Sequence, residues 1–65
     1  VDVRLPDVTV KLSEVDSNAM FIMGAVTSAM KRAGHKDLVE EFREEAMSGD
    51  YDHLLQTCMR WVNVE

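Results

Sequence analysis

The side chains able to do chemistry in this sequence are few and scattered. His35, His53 and Cys58 are the only soft metal ligands in its 65 residues. His53 and Cys58 stand five apart within one helical pattern, which points their side chains away from a shared ion, and no zinc-type ligand spacing occurs. No metal and no cofactor are expected. A nucleophilic thiol needs a base and an electropositive neighbourhood. Cys58 has neither nearby in sequence and lies on an apolar helical face, where it packs as a small hydrophobe. Acids and a histidine crowd together only at Asp50-Tyr51-Asp52-His53. An acid–base constellation is one interpretation. Helix capping is the stronger one, because acids at a helix start accept free N–H groups and complement the dipole. No catalytic residue is assigned, and the chain is expected to be non-enzymatic.

Three other groups suit binding. Glu40, Glu41, Glu44 and Glu45 share the outer side of a short helix, with Arg43 as the single cation among them. Such a face is ordinarily solvated. Its sharper meaning is a row of charge that imitates phosphates toward a basic, nucleic-acid-binding partner. Two of these acids fall near the helix C-terminus, where the dipole disfavours them. Met20 and Met47 project away from the apolar stripes, and with Phe21 and Trp61 they form an adaptable apolar contact surface. Lys31, Arg32, His35 and Lys36 are the only basic cluster, and they define the alternative, a nucleic-acid-binding regulator. Cations in a last helical turn are also what the dipole favours, and a net charge of −5 opposes a non-specific hold on phosphates.

These groups need elements to position them. The longest is Asn18–Ala33, NAMFIMGAVTSAMKRA, with Ser17 or Asn18 as its cap and Gly34 as its left-handed exit. Ala19, Ile22, Ala25, Val26, Ala29, Met30 and Ala33 fall on one broad face, with Met23 at its border. This segment is the expected spine of the core. Val8, Val10 and Leu12 alternate as a strand over 8–12. Val1, Val3 and Leu5 alternate in the opposite parity before Pro6, so residues 1–7 are expected to be an N-terminal arm. Asp37 is positioned to cap a second helix burying Leu38, Val39, Phe42 and Ala46, which Gly49 would end in a left-handed turn. Asp50 is positioned to cap a third. There Tyr51, Leu54, Leu55, Cys58, Met59 and Val62 share the apolar face, with Trp61 at its edge and His53 and Thr57 on the wet side. The β-branched and aromatic run 61–64 favours a short strand pairing with 8–12, in a direction the sequence leaves open. The expected fold is one small α+β domain over 8–65, in β-α-α-α-β order around the central helix 18–33.

Size and composition narrow the function classes. A single cysteine excludes an internal disulfide and a secreted disulfide scaffold. No apolar run reaches the length of a membrane span and no signal-peptide pattern is present, so a cytoplasmic setting is expected. The chain begins with Val1 rather than Met, which fits a trimmed start or a lost initiator. Together, the strand, the Asp16-Ser17-Asn18-Ala19 entry, Gly24 and the segment Ser48-Gly49-Asp50-Tyr51-Asp52-His53-Leu54-Leu55 resemble short uncharacterised proteins of bacteria and their phages, over most of residues 8–64. The resemblance implies a bacterial or mobile-element setting and brings no catalytic residue with it. The expected function is a small acidic module that binds another protein in a regulatory or anti-defence, inhibitory role. A homodimer or small assembly is expected, for which an open sheet edge offers a second route.

Overall fold

The computed structural model describes residues 3–65, in the order β1 (Leu5–Val10), α1 (Ala19–Arg32), α2 (Val39–Ala46), α3 (Tyr51–Trp61) and β2 (Val62–Val64). This is the expected β-α-α-α-β arrangement. The two ends of the chain form one two-stranded sheet, and its strands run parallel. A parallel pair requires a long crossover, which the three helices supply.

Local hydrogen bonds explain why α1 starts and stops where it does. The Asn18 side chain accepts from the Met20 N–H at 2.9 Å, and Asp16 holds Asn18 by accepting its backbone N–H at 2.9 Å. At the other end Gly34 takes φ +90°, the Gly34 N–H reaches the Lys31 carbonyl and the His35 N–H reaches the Met30 carbonyl. That pair of bonds is the Schellman closure, which needs a residue free to turn left-handed. Ile22, Val26, Ala29 and Met30 of α1 are buried in the core, as the spine requires.

β1 begins at Leu5 and ends at Val10, so Leu5–Asp7 of the expected arm are strand and Leu12 lies beyond it in a short 3-10 turn. Val1 and Asp2 lie outside the described residues. The parity break at Pro6 is real, and an irregularity in the pairing absorbs it. Leu5 pairs with Val62 and Thr9 with Asn63, so the extra residues bulge out and Leu5, Val8 and Val10 all face inward. The Asn63 amide bridges the bulge by donating to the Pro6 carbonyl at 2.8 Å.

Three details of the helices differ from expectation. Asp37 sits inside a 3-10 turn, Lys36–Leu38, and α2 starts at Val39 without a side-chain cap. Gly49 does not adopt a positive φ. A Cβ there would lie 2.7–2.9 Å from Cγ, Cβ and Cδ2 of His53, so the glycine makes room for an imidazole. In α3 the buried stripe is Leu54, Thr57, Cys58 and Trp61, while Met59 is 53 % exposed and Tyr51 44 % exposed. Thr57 tolerates burial because its hydroxyl donates to the His53 carbonyl one turn back, at 2.8 Å.

Candidate functional site

An open apolar groove of about 600 Å³ lies where the start of α1, the end of α2 and the start of α3 converge. Its walls come from Met20, Met23 and Gly24 of α1, Ala46 with the following Met47, and Tyr51 and Leu54 of α3. Each helix contributes because its own chemistry presents these residues. The Asn18 cap fixes the first turn of α1, and the Asp50 carboxylate fixes that of α3 by accepting the His53 N–H at 2.9 Å. The Tyr51 hydroxyl donates to the Ser17 carbonyl at 2.5 Å and ties the two helix starts together. Gly24 keeps the groove open, since a Cβ there would meet nothing within 4 Å. A mid-helix glycine costs about 1 kcal/mol against alanine, and it is the one sequence signal that marks the groove.

Met20 and Met47, at 81 % and 71 % exposure, stand on the groove rim as large unpartnered hydrophobes. Phe21 is 60 % exposed on the neighbouring surface of α1. Trp61 departs from the expected contact surface. It is 2 % exposed, packs edge-on to Phe42 with centroids 5.5 Å apart, and carries the Arg4 guanidinium 4.1 Å above its ring. At the junction of α3 and β2 the chain changes period, and the indole turns into the core.

The acidic side of α2 divides into two halves. Glu45 accepts a hydrogen bond from the Trp61 indole N–H at 3.0 Å, and Glu41 pairs with Arg4 at 2.5 Å. These two acids are bound up with the packing of the aromatic pair, and the indole bond offsets the unfavourable dipole position of Glu45. Glu40 and Glu44 lie on the other side, within about 60° of Met47 around the helix, and both are exposed. Arg43, which lines the groove, reaches toward Glu40 at 3.8 Å.

The Asp50, Asp52 and His53 side chains do not converge. Asp50 caps α3, and Asp52 accepts from the Gln56 amide at 2.9 Å. His53 Nε2 lies 2.8 Å from the Glu45 carbonyl and 3.0 Å from the Ser48 hydroxyl. A carbonyl only accepts, so Nε2 carries the proton and offers no lone pair to Ser48, whose own hydroxyl donates to the same carbonyl at 2.6 Å. The imidazole therefore terminates α2.

Lys31, Arg32 and Lys36 are exposed around the end of α1. His35 turns away from them to Asp7, at 2.9 Å, and that contact holds the Asp7 carboxyl below its ordinary value. Cys58 is fully buried, which pushes its thiol up to about 11. Among the described residues no three His, Cys, Asp or Glu side chains are grouped to hold a metal ion, and no helix is long and apolar enough to cross a membrane. No family, curated protein or solved structure compared with this chain matches it.

Proposed function

We propose that this protein is a non-enzymatic binding module that acts by engaging another protein, in a regulatory or inhibitory role of the kind suited to a bacterium or phage. The observation that carries this reading is the open groove with Met20 and Met47 exposed on its rim. Large flexible apolar side chains held in water around an apolar concavity are contact chemistry. Glu40 and Glu44 add negative charge beside it. The test is a pull-down from bacterial lysate with the whole chain, wild type beside Met47→Glu, followed by mass spectrometry. Met47 is exposed, so the charge is tolerated by the fold, and a true partner is retained by the wild type and lost with M47E. Equal retention of every protein by both baits refutes the proposal.

Self-association is the second part of the reading, and it would use the unpaired outer edge of β1. Sedimentation equilibrium over a range of concentrations checks it, and a constant monomer mass refutes it. Nucleic-acid binding through Lys31, Arg32 and Lys36 is the weaker alternative, because the net charge is −5 and His35 is engaged by Asp7.

A further inference from the structure

We infer that the groove receives an amphipathic helix whose apolar face is flanked by lysines or arginines, an inference that rests on the binding function proposed above. The shape of the site comes first. About 600 Å³ of open, apolar space bounded by three helices suits a row of large side chains spaced i, i+3 or i+4, and i+7 on one face of a helix. The walls suit it too. Ala46 and Gly24 leave depth, while Met20, Met23 and Met47 are unbranched, polarizable and free to repack around whatever anchor enters.

Charge selects among possible helices. Asp50 lines the groove, and Glu40 and Glu44 border it beyond Met47. Asp16 lies next to Ser17, whose carbonyl receives the Tyr51 hydroxyl at the groove wall. Arg43 is the only cation among the lining residues, and Glu40 already draws it aside at 3.8 Å. A helix with basic flanks meets opposite charge on this rim, and an acidic one is repelled. The same rim argues against a second copy of this chain as the occupant. Two grooves placed face to face would oppose acid to acid, between molecules that each carry a net charge of −5.

The methionines provide the readout. Of the five in the chain, Met20, Met23 and Met47 line the groove, Met30 is buried in the core, and Met59 is exposed on α3 without lining the groove. The whole protein, labelled with 13C at the methionine methyls, is titrated with a synthetic peptide about 18 residues long, with leucines on one helical face and lysines beside them. A second peptide has glutamate in place of every lysine. The lysine peptide is expected to shift the Met20, Met23 and Met47 methyls saturably, to leave Met30 and Met59 in place, and to bind about tenfold more tightly than the glutamate peptide. Gly24→Leu, which fills open space without a clash, is expected to weaken binding about tenfold or more while the Met30 and Met59 signals stay at their wild-type positions. Double reversal, Glu40→Lys with Glu44→Lys, should invert the preference between the two peptides.

Equal affinity for both peptides would overturn the basic-helix assignment and leave the broader binding function standing. Shifts at Met59 as large as those at Met20, or no shifts with either peptide, would overturn a helical occupant, and the lysate experiment would still decide the broader function. Groove shifts that grow with protein concentration alone would assign the site to a second copy and also overturn the inference.

Discussion

Gly49→Ala offers the sharpest test of how this domain is packed. Gly49 lies outside the left-handed region, so its backbone accepts any residue, and the obstacle is steric. A new Cβ would sit 2.7 Å from His53 Cγ, 2.8 Å from Cβ and 2.9 Å from Cδ2. The ring cannot swing away freely, because Nε2 is held 2.8 Å from the Glu45 carbonyl. Overpacking of this kind costs about 1–3 kcal/mol. Loss of the imidazole bond adds about 0.5–1.5 kcal/mol, and the stiffer unfolded chain returns about 0.4–1 kcal/mol. The expected net destabilisation is about 2 kcal/mol, a fall in Tm of about 8–16 °C for a domain of this size. A small domain has on the order of 3–10 kcal/mol of stability, so the variant still folds. Urea and thermal unfolding followed by far-UV circular dichroism measure it. The discriminating step repeats Gly49→Ala in His53→Ala and His53→Gly backgrounds. H53A removes Cγ and Cδ2 and retains the Cβ contact, while H53G removes all three. The penalty of G49A should therefore fall stepwise from wild type to H53A to H53G, where it approaches zero. An equal penalty in all three backgrounds would refute the claim that His53 is the reason for this glycine.

Four further outcomes follow from the same contacts. Glu45→Ala should destabilise by about 2 kcal/mol by stranding the Trp61 N–H, and Glu45→Gln by clearly less because it keeps an acceptor oxygen; equal losses in urea melts would contradict the hydrogen-bond role. Asn63→Ala should cost about 1 kcal/mol by leaving the Pro6 carbonyl of the β1 bulge without its partner, and an unchanged urea midpoint would show that the bridge carries nothing. Cys58, with its thiol raised to about 11 from 9.0, should react with iodoacetamide at pH 8 about 100-fold more slowly in the folded protein than in urea from thiolate fraction alone; similar rates would show that it is accessible. The hydrogen bond from His35 holds the Asp7 carboxyl below its ordinary 3.8, so this contact stabilises the fold above the unfolded value and is lost as the pH falls through the folded one. Asp7→Asn should therefore lower stability near neutrality and leave it unchanged in strong acid, and a pH-independent difference would refute the pairing.

What can be read along the chain is what hydrogen bonds and periods within a few residues decide. Asn18 and Asp50 cap α1 and α3 through N–H groups two and three residues away. Gly34 and the α1 stripe of Ile22, Val26 and Ala29 are equally local. The exposure of Met20, Phe21 and Met47 was legible for the same reason, since each falls outside its helix's apolar stripe. The parity change at Pro6 was also visible, although it marks a bulge within β1 where the alternation suggested an arm. Asp37 and Gly49 misled because a local preference gave way: a 3-10 turn displaced the start of α2, and the imidazole of His53 claimed the space beside Gly49.

Sequence alone determined the order of elements, the spine formed by α1 and the absence of a crowded catalytic grouping beyond the start of α3. Tertiary structure decided the parallel sense of the sheet, the burial of Trp61, the division of the acidic side of α2 and the groove itself. The physical reason is separation along the chain. The Glu45–Trp61 bond spans 16 residues, the Tyr51–Ser17 bond 34 and the Arg4–Glu41 pair 37. No single helical or strand period contains both members of such a pair, and their meeting is set only when three helices close on one sheet.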